Sequence, residues 1–124
     1  MVTTSLGKIE GVDQGTYTVY KGIPFAKPPI GELRWKAPVK PDPFEGVFRA
    51  DHFSAKCPQH DGGMGFYDKE FYQNPEFQRE HSEDCLYLNI WVPNTAKTKL
   101  PVGFFIHGGG FDHGCSSEQR QSFR

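Results

Sequence analysis

The sequence has no long apolar run, no excess of one charge and no basic-then-apolar leader. Its longest apolar stretch, around Val102 to Ile106, is far too short to span a bilayer. A formal net charge of −1 over 124 residues removes any electrostatic argument for nucleic acid or an anionic membrane as partner. The opening Met1-Val2-Thr3-Thr4-Ser5 does not read as a secretion signal. A soluble cytoplasmic protein is therefore expected, or a secreted one if the true amino terminus lies upstream. No internal repeat or low-complexity tract is visible. His52, Cys57, His60, His81 and Cys85 stand at spacings that fit no compact zinc pattern, so neither metal nor cofactor is expected.

Turn formers and large rings are plentiful. The 14 glycines and 10 prolines argue against a helical bundle, and the 15% aromatic share supplies core material for short strands joined by loops. The length suits one domain or part of one.

Residues 2 to 23 read as a small antiparallel sheet, because β-branched and aromatic runs such as Thr16 to Tyr20 flank glycine turns. Between Pro24 and Pro43 lie six prolines, which remove N–H donors and restrict their predecessors, so an extended segment pinned by Phe25, Leu33 and Trp35 is expected. Residues 56 to 83 form a long polar excursion with a short helix expected around Asp68 to Tyr72. From Cys85 to Val92, Leu86, Leu88, Ile90 and Val92 share one face and Tyr87, Asn89 and Trp91 the other, the period of a strand. Pro101 to Ile106 is continuously apolar and reads as a second strand, central and covered on both faces.

That run empties into His107-Gly108-Gly109-Gly110-Phe111. Consecutive glycines let the backbone take positive φ and approach a ligand without a Cβ in the way. Successive N–H groups can then converge on one negative oxygen, as in an oxyanion hole. A flexible turn after a strand is the plainer alternative for a glycine triplet alone.

The surroundings add specificity. Ser82-Glu83-Asp84-Cys85-Leu86-Tyr87-Leu88-Asn89-Ile90-Trp91 resembles the signature of type-B carboxylesterases and cholinesterases. Gly22-Ile23-Pro24-Phe25-Ala26 and Pro28-Pro29-Ile30-Gly31-Glu32-Leu33-Arg34-Trp35 resemble two upstream segments of that family, and the glycine loop follows at the family's spacing. The resemblance runs from about Val2 to Gly114. It implies an α/β fold over residues 1–124: the amino-terminal part of an α/β-hydrolase, a small antiparallel sheet followed by the first strands of a central mixed sheet.

The same resemblance implies a small-molecule carboxylic ester as substrate. Gly109 and Gly110 would donate oxyanion-hole N–H groups, and Phe111 would line the acyl side of the pocket. Arg34 and Glu83 would form a structural ion pair. Cys57 and Cys85 fall where cholinesterase-like members carry a disulfide, although reduced thiols are expected of a cytoplasmic chain. Phe66, Tyr67, Phe71, Tyr72 and Phe77 would either rim the gorge or pack beneath their loop.

The family's nucleophile sits in Gly-x-Ser-x-Gly, and no such pentapeptide occurs in the 124 residues. Gly114-Cys115-Ser116-Ser117-Glu118 lacks the second glycine and comes too early. His107 and His113 precede the place where the family's base would fall. Ser116 to Arg124 matches nothing in the family, as expected of a truncated or frameshifted tail. The chain is therefore expected to be an inactive piece of an esterase, with a non-catalytic interaction module or a relic as the alternative reading.

Overall fold

The computed structural model describes residues 1–60, 80–95 and 97–117. The helix expected at 68–72, and the five aromatics from Phe66 to Phe77, lie outside the described residues.

Two three-stranded sheets form instead of one antiparallel sheet. In the first, β1 (Val2–Thr4) pairs antiparallel with β2 (Gly7–Glu10). Thr4 shapes the turn between them: its Oγ1 donates to Gly7 O at 3.0 Å and accepts from Leu6 N–H at 3.2 Å. The second sheet begins with β3 (Val12–Asp13) antiparallel to β4 (Tyr17–Pro24). β5 (Val47–Arg49) lies parallel to β2, with Ile9 opposite Phe48. The sequence pattern does not reveal this pairing, because β5 contributes only three residues.

β6 (Tyr87–Pro93) pairs antiparallel with β4 and completes the second sheet. Tyr20 faces Ile90 while Ile23 faces Leu88, so β4 carries one extra residue across this interval. Gly22 occupies that bulge with φ +66°, and a Cβ there would sit 2.7 Å from His52 O. Glycine is therefore required twice over, by its conformation and by the close approach. The N–H that the bulge takes out of the ladder is not orphaned, since Gly22 N–H donates to Asn89 Oδ1 at 2.8 Å.

Ala50 joins the two sheets. Its N–H donates to Glu10 O at 2.8 Å, and its C=O accepts from Lys21 N–H at 2.9 Å. It is fully buried among Ile9, Tyr20 and Ile23, with Phe44, Phe48 and Leu88 packed against them. The Phe44 and Phe48 rings stack with centroids 4.6 Å apart. Truncating Ile23 to Ala in so small a core costs about 2–5 kcal/mol.

The proline-rich segment holds one short 3₁₀ turn, Gly31–Leu33, and is otherwise irregular. Two of its three expected anchors differ from expectation: Phe25 is half exposed and Trp35 is 89% exposed. They line an open groove of about 310 Å³ with Pro29, Leu33, Val39 and Leu86.

The strand expected over Pro101 to Ile106 is absent. Val102 is 90% exposed, Phe104 84% and Ile106 77%. An apolar run becomes a central strand only when neighbours take its backbone groups and cover both faces. Among the described residues no strand lies beside it.

Candidate active site

The glycine loop follows this uncovered run. His107 Nδ1–H donates to Gly108 O at 2.8 Å. Gly109 O accepts from Asp112 N–H at 3.1 Å and His113 N–H at 3.2 Å, which closes a tight turn. Gly109 has φ +118°, and a Cβ there would lie 1.8 Å from His113 O, so no side chain fits. Gly110 continues the positive-φ run at +63° and Phe111 at +64°. For phenylalanine this conformation is strained by roughly 1–3 kcal/mol. Among the described residues no acceptor takes the N–H of Gly109 or Gly110. Two adjacent amides on a tight turn are thus left to donate elsewhere. Phe111 stands fully exposed, and neither it nor any other loop residue lines the groove around Trp35.

Two side chains hold the far end of the loop, and the sequence pattern had marked neither as functional. Gln59 Oε1 accepts from Gly114 N–H at 2.5 Å while Gln59 Nε2–H donates to Gly114 O at 3.2 Å. The same Nε2 donates to Cys57 O at 3.0 Å. Asn89, whose Oδ1 serves Gly22, extends its Nδ2–H to Ser116 Oγ at 2.8 Å. The one hint to Gln59 was its place two residues after Cys57. Asn89 stood inside the quoted signature, on the polar side of its strand.

Cys57 and Cys85 are joined in a disulfide, with Cα atoms 5.1 Å apart, in place of the reduced pair expected of a cytoplasmic chain. Their Cα separation falls within the range that a disulfide spans without backbone movement. Arg34 Nε–H donates to Glu83 Oε1 at 2.6 Å. Tyr87 O–H donates to Asp84 Oδ1 at 2.8 Å, and burial together with that bond pushes the phenol up to about 12. Cys115 is unpaired, its Sγ 3.1 Å from the hydroxyl of the buried Ser117.

The small sheets are those of the amino-terminal part of an α/β-hydrolase, as comparison with known proteins shows. The carboxylesterase family model matches residues 1–123, so the likeness runs past Gly114 and through most of the tail from Ser116 that was expected to match nothing, and the chain belongs to that family. Para-nitrobenzyl esterase of Bacillus subtilis (strain 168) is 42% identical over 118 residues, 95% of this chain and 23% of its own length. Gut esterase 1 of Caenorhabditis elegans is 40% identical over 123 residues, 99% of this chain and 20% of its own. Acetylcholinesterase of Electrophorus electricus is also 40% identical, over 94% of this chain and 19% of its own. A solved PNB esterase superposes with a TM-score of 0.81 at 39% identity, covering 94% of this chain and 23% of that one. The chain thus spans about a fifth of the length of the curated relatives it matches.

Proposed function

We propose that these residues supply the oxyanion-stabilising part of a serine-type carboxylic-ester hydrolase. The observation that carries this is the turn at Gly109 and Gly110, where two adjacent N–H groups lack acceptors among the described residues. When a serine oxygen attacks an ester carbonyl, the C=O π pair moves onto oxygen and a tetrahedral anion forms. The Gly109 and Gly110 amides donate to that oxygen, and Phe111 borders the acyl group. One such donor is worth about 10²–10³ in kcat. The nucleophile, acid and base come from polypeptide outside these 124 residues, so the chain by itself turns over no ester.

The test is a hybrid in which residues 1–117 replace the matching stretch of the Bacillus subtilis para-nitrobenzyl esterase. The hybrid is expected to hydrolyse a nitrophenyl acetate. Gly109→Ala is expected to lower kcat by about 100-fold or more. A folded but inactive hybrid would sink the proposal. So would a product burst from the 124-residue chain alone that disappears with Ser116→Ala or Ser117→Ala.

A further inference from the structure

Gln59 lies outside the glycine loop by sequence but grips it by both edges of one backbone unit. Its planar amide offers an acceptor and a donor, and Gly114 answers with its N–H and its C=O. A neighbouring strand would hold an extended residue in the same way, but none lies beside Gly114 among the described residues. Gly114 in turn is packed against the start of the loop. A Cβ there would lie 2.8 Å from Gly108 O and 2.9 Å from His107 Nδ1. The other side of the clamp is anchored, because Gln59 Nε2 also donates to Cys57 O and Cys57 is bonded to Cys85, just before β6.

We infer that Gln59 is a positioning residue that holds the Gly109–Gly110 amides in donating geometry by fixing Gly114 to the Cys57–Cys85 disulfide. The inference rests on the esterase reading for its purpose, but the mechanical link stands independently. With Gln59 in place, the residue that follows the turn closed by Gly109 O is fixed at both its N–H and its C=O, which restrains that turn. Without it, the side-chain hydrogen bond left between residues 107–117 and the sheets, among the described residues, is that of Asn89 to Ser116.

Amide hydrogen exchange on the oxidised 124-residue chain separates this role from a local one. In Gln59→Ala, exchange is expected to quicken at least about tenfold at Gly114 and also at Asp112 and His113, whose amides close the turn on Gly109 O. Amides of β4 and β6 should keep their rates. Gln59→Glu, which retains the acceptor for Gly114 N–H but loses both donations, should fall between the two.

Quickening at Gly114 alone would overturn the inference, making Gln59 a partner for a single amide. Equal quickening over β4 and β6 would overturn it as well, making Gln59 a general contributor to stability. In the hybrid enzyme, Gln59→Ala should lower kcat about tenfold with KM nearly unchanged, the signature of a weakened transition-state contact. A changed KM with kcat intact would contradict it. A hybrid without activity refutes the esterase reading, whereas the exchange pattern still decides the clamp.

Discussion

Arg34 and Glu83, 49 residues apart, meet at 2.6 Å and tie the proline-rich segment to the turn before β6. The guanidinium also lies 5.4 Å from the centroid of the Trp35 ring, so one side chain serves a carboxylate and an aromatic face. Both partners are half exposed, at 53% and 42%, so solvent screens the pair. A double-mutant cycle with Arg34→Ala and Glu83→Ala is therefore expected to give a coupling of about 1 kcal/mol or less. A value of several kcal/mol would mean that the pair is shielded from solvent.

The disulfide should matter more. Cys57 and Cys85 are separated by 28 positions, and closing such a loop restricts the unfolded chain by about 3.5 kcal/mol in the chain-entropy account. The Cys57→Ser, Cys85→Ser variant should show a lower urea midpoint than the oxidised chain. Reductant should lower the midpoint of the parent to match and leave the variant unaffected. Equal midpoints for the oxidised parent and the variant would refute the contribution.

Asn89 serves two backbone regions at once. Asn89→Ala frees the Gly22 N–H in the β4 bulge and the Ser116 hydroxyl together. A loss of about 1–3 kcal/mol is expected from the unsatisfied amide alone. Chemical denaturation measures it, and a neutral result would show that water replaces the side chain at the bulge.

Tyr87 gives an alkaline signature. Burial and the bond to Asp84 raise the folded phenol to about 12 from an ordinary value of 10.0. The unfolded chain therefore releases this proton first. The stabilising contribution is complete below about pH 10 and is lost as pH rises through about 12. Urea midpoints measured across that window should fall more steeply for the parent than for Tyr87→Phe. Parallel curves would contradict the assignment.

The uncovered run predicts self-association. Val102, Phe104 and Ile106 present apolar side chains to solvent, and their backbone groups find no backbone partner among the described residues, a template for intermolecular pairing. The 124-residue chain is expected to aggregate with rising concentration. Replacing Val102 and Phe104 with Lys should raise the soluble limit, as sedimentation or light scattering would show.

Local chemistry made β4 and β6 readable, since β-branched runs and period-two alternation act over a few residues. The alternation from Leu86 to Val92 located β6 but not how deeply its apolar face is covered: Leu88 reaches the core while Ile90 and Val92 remain 44% and 41% exposed. The Val102 to Ile106 run read as a central strand and forms none, because pairing depends on neighbours that composition cannot report. The family resemblance directed attention to Gly109, Gly110, Arg34, Glu83, Cys57 and Cys85. It gave no warning of Gln59 and included Asn89 only as one residue of a signature, because the importance of both lies in which distant groups they reach.

The pairing of β4 with β6 sets a timetable for synthesis. Pro24 faces Tyr87 and Tyr17 faces Pro93, so the sheet cannot close until the last of these residues has left the ribosome. At about 5–20 residues per second, the edge of β4 waits on the order of 3 to 14 seconds after its own emergence. β5 arrives earlier, so the β1–β2–β5 sheet can form while β4 still exposes one row of backbone groups. During that interval the nascent chain offers a chaperone a defined target, the β4 edge carrying Val19, Tyr20 and Ile23.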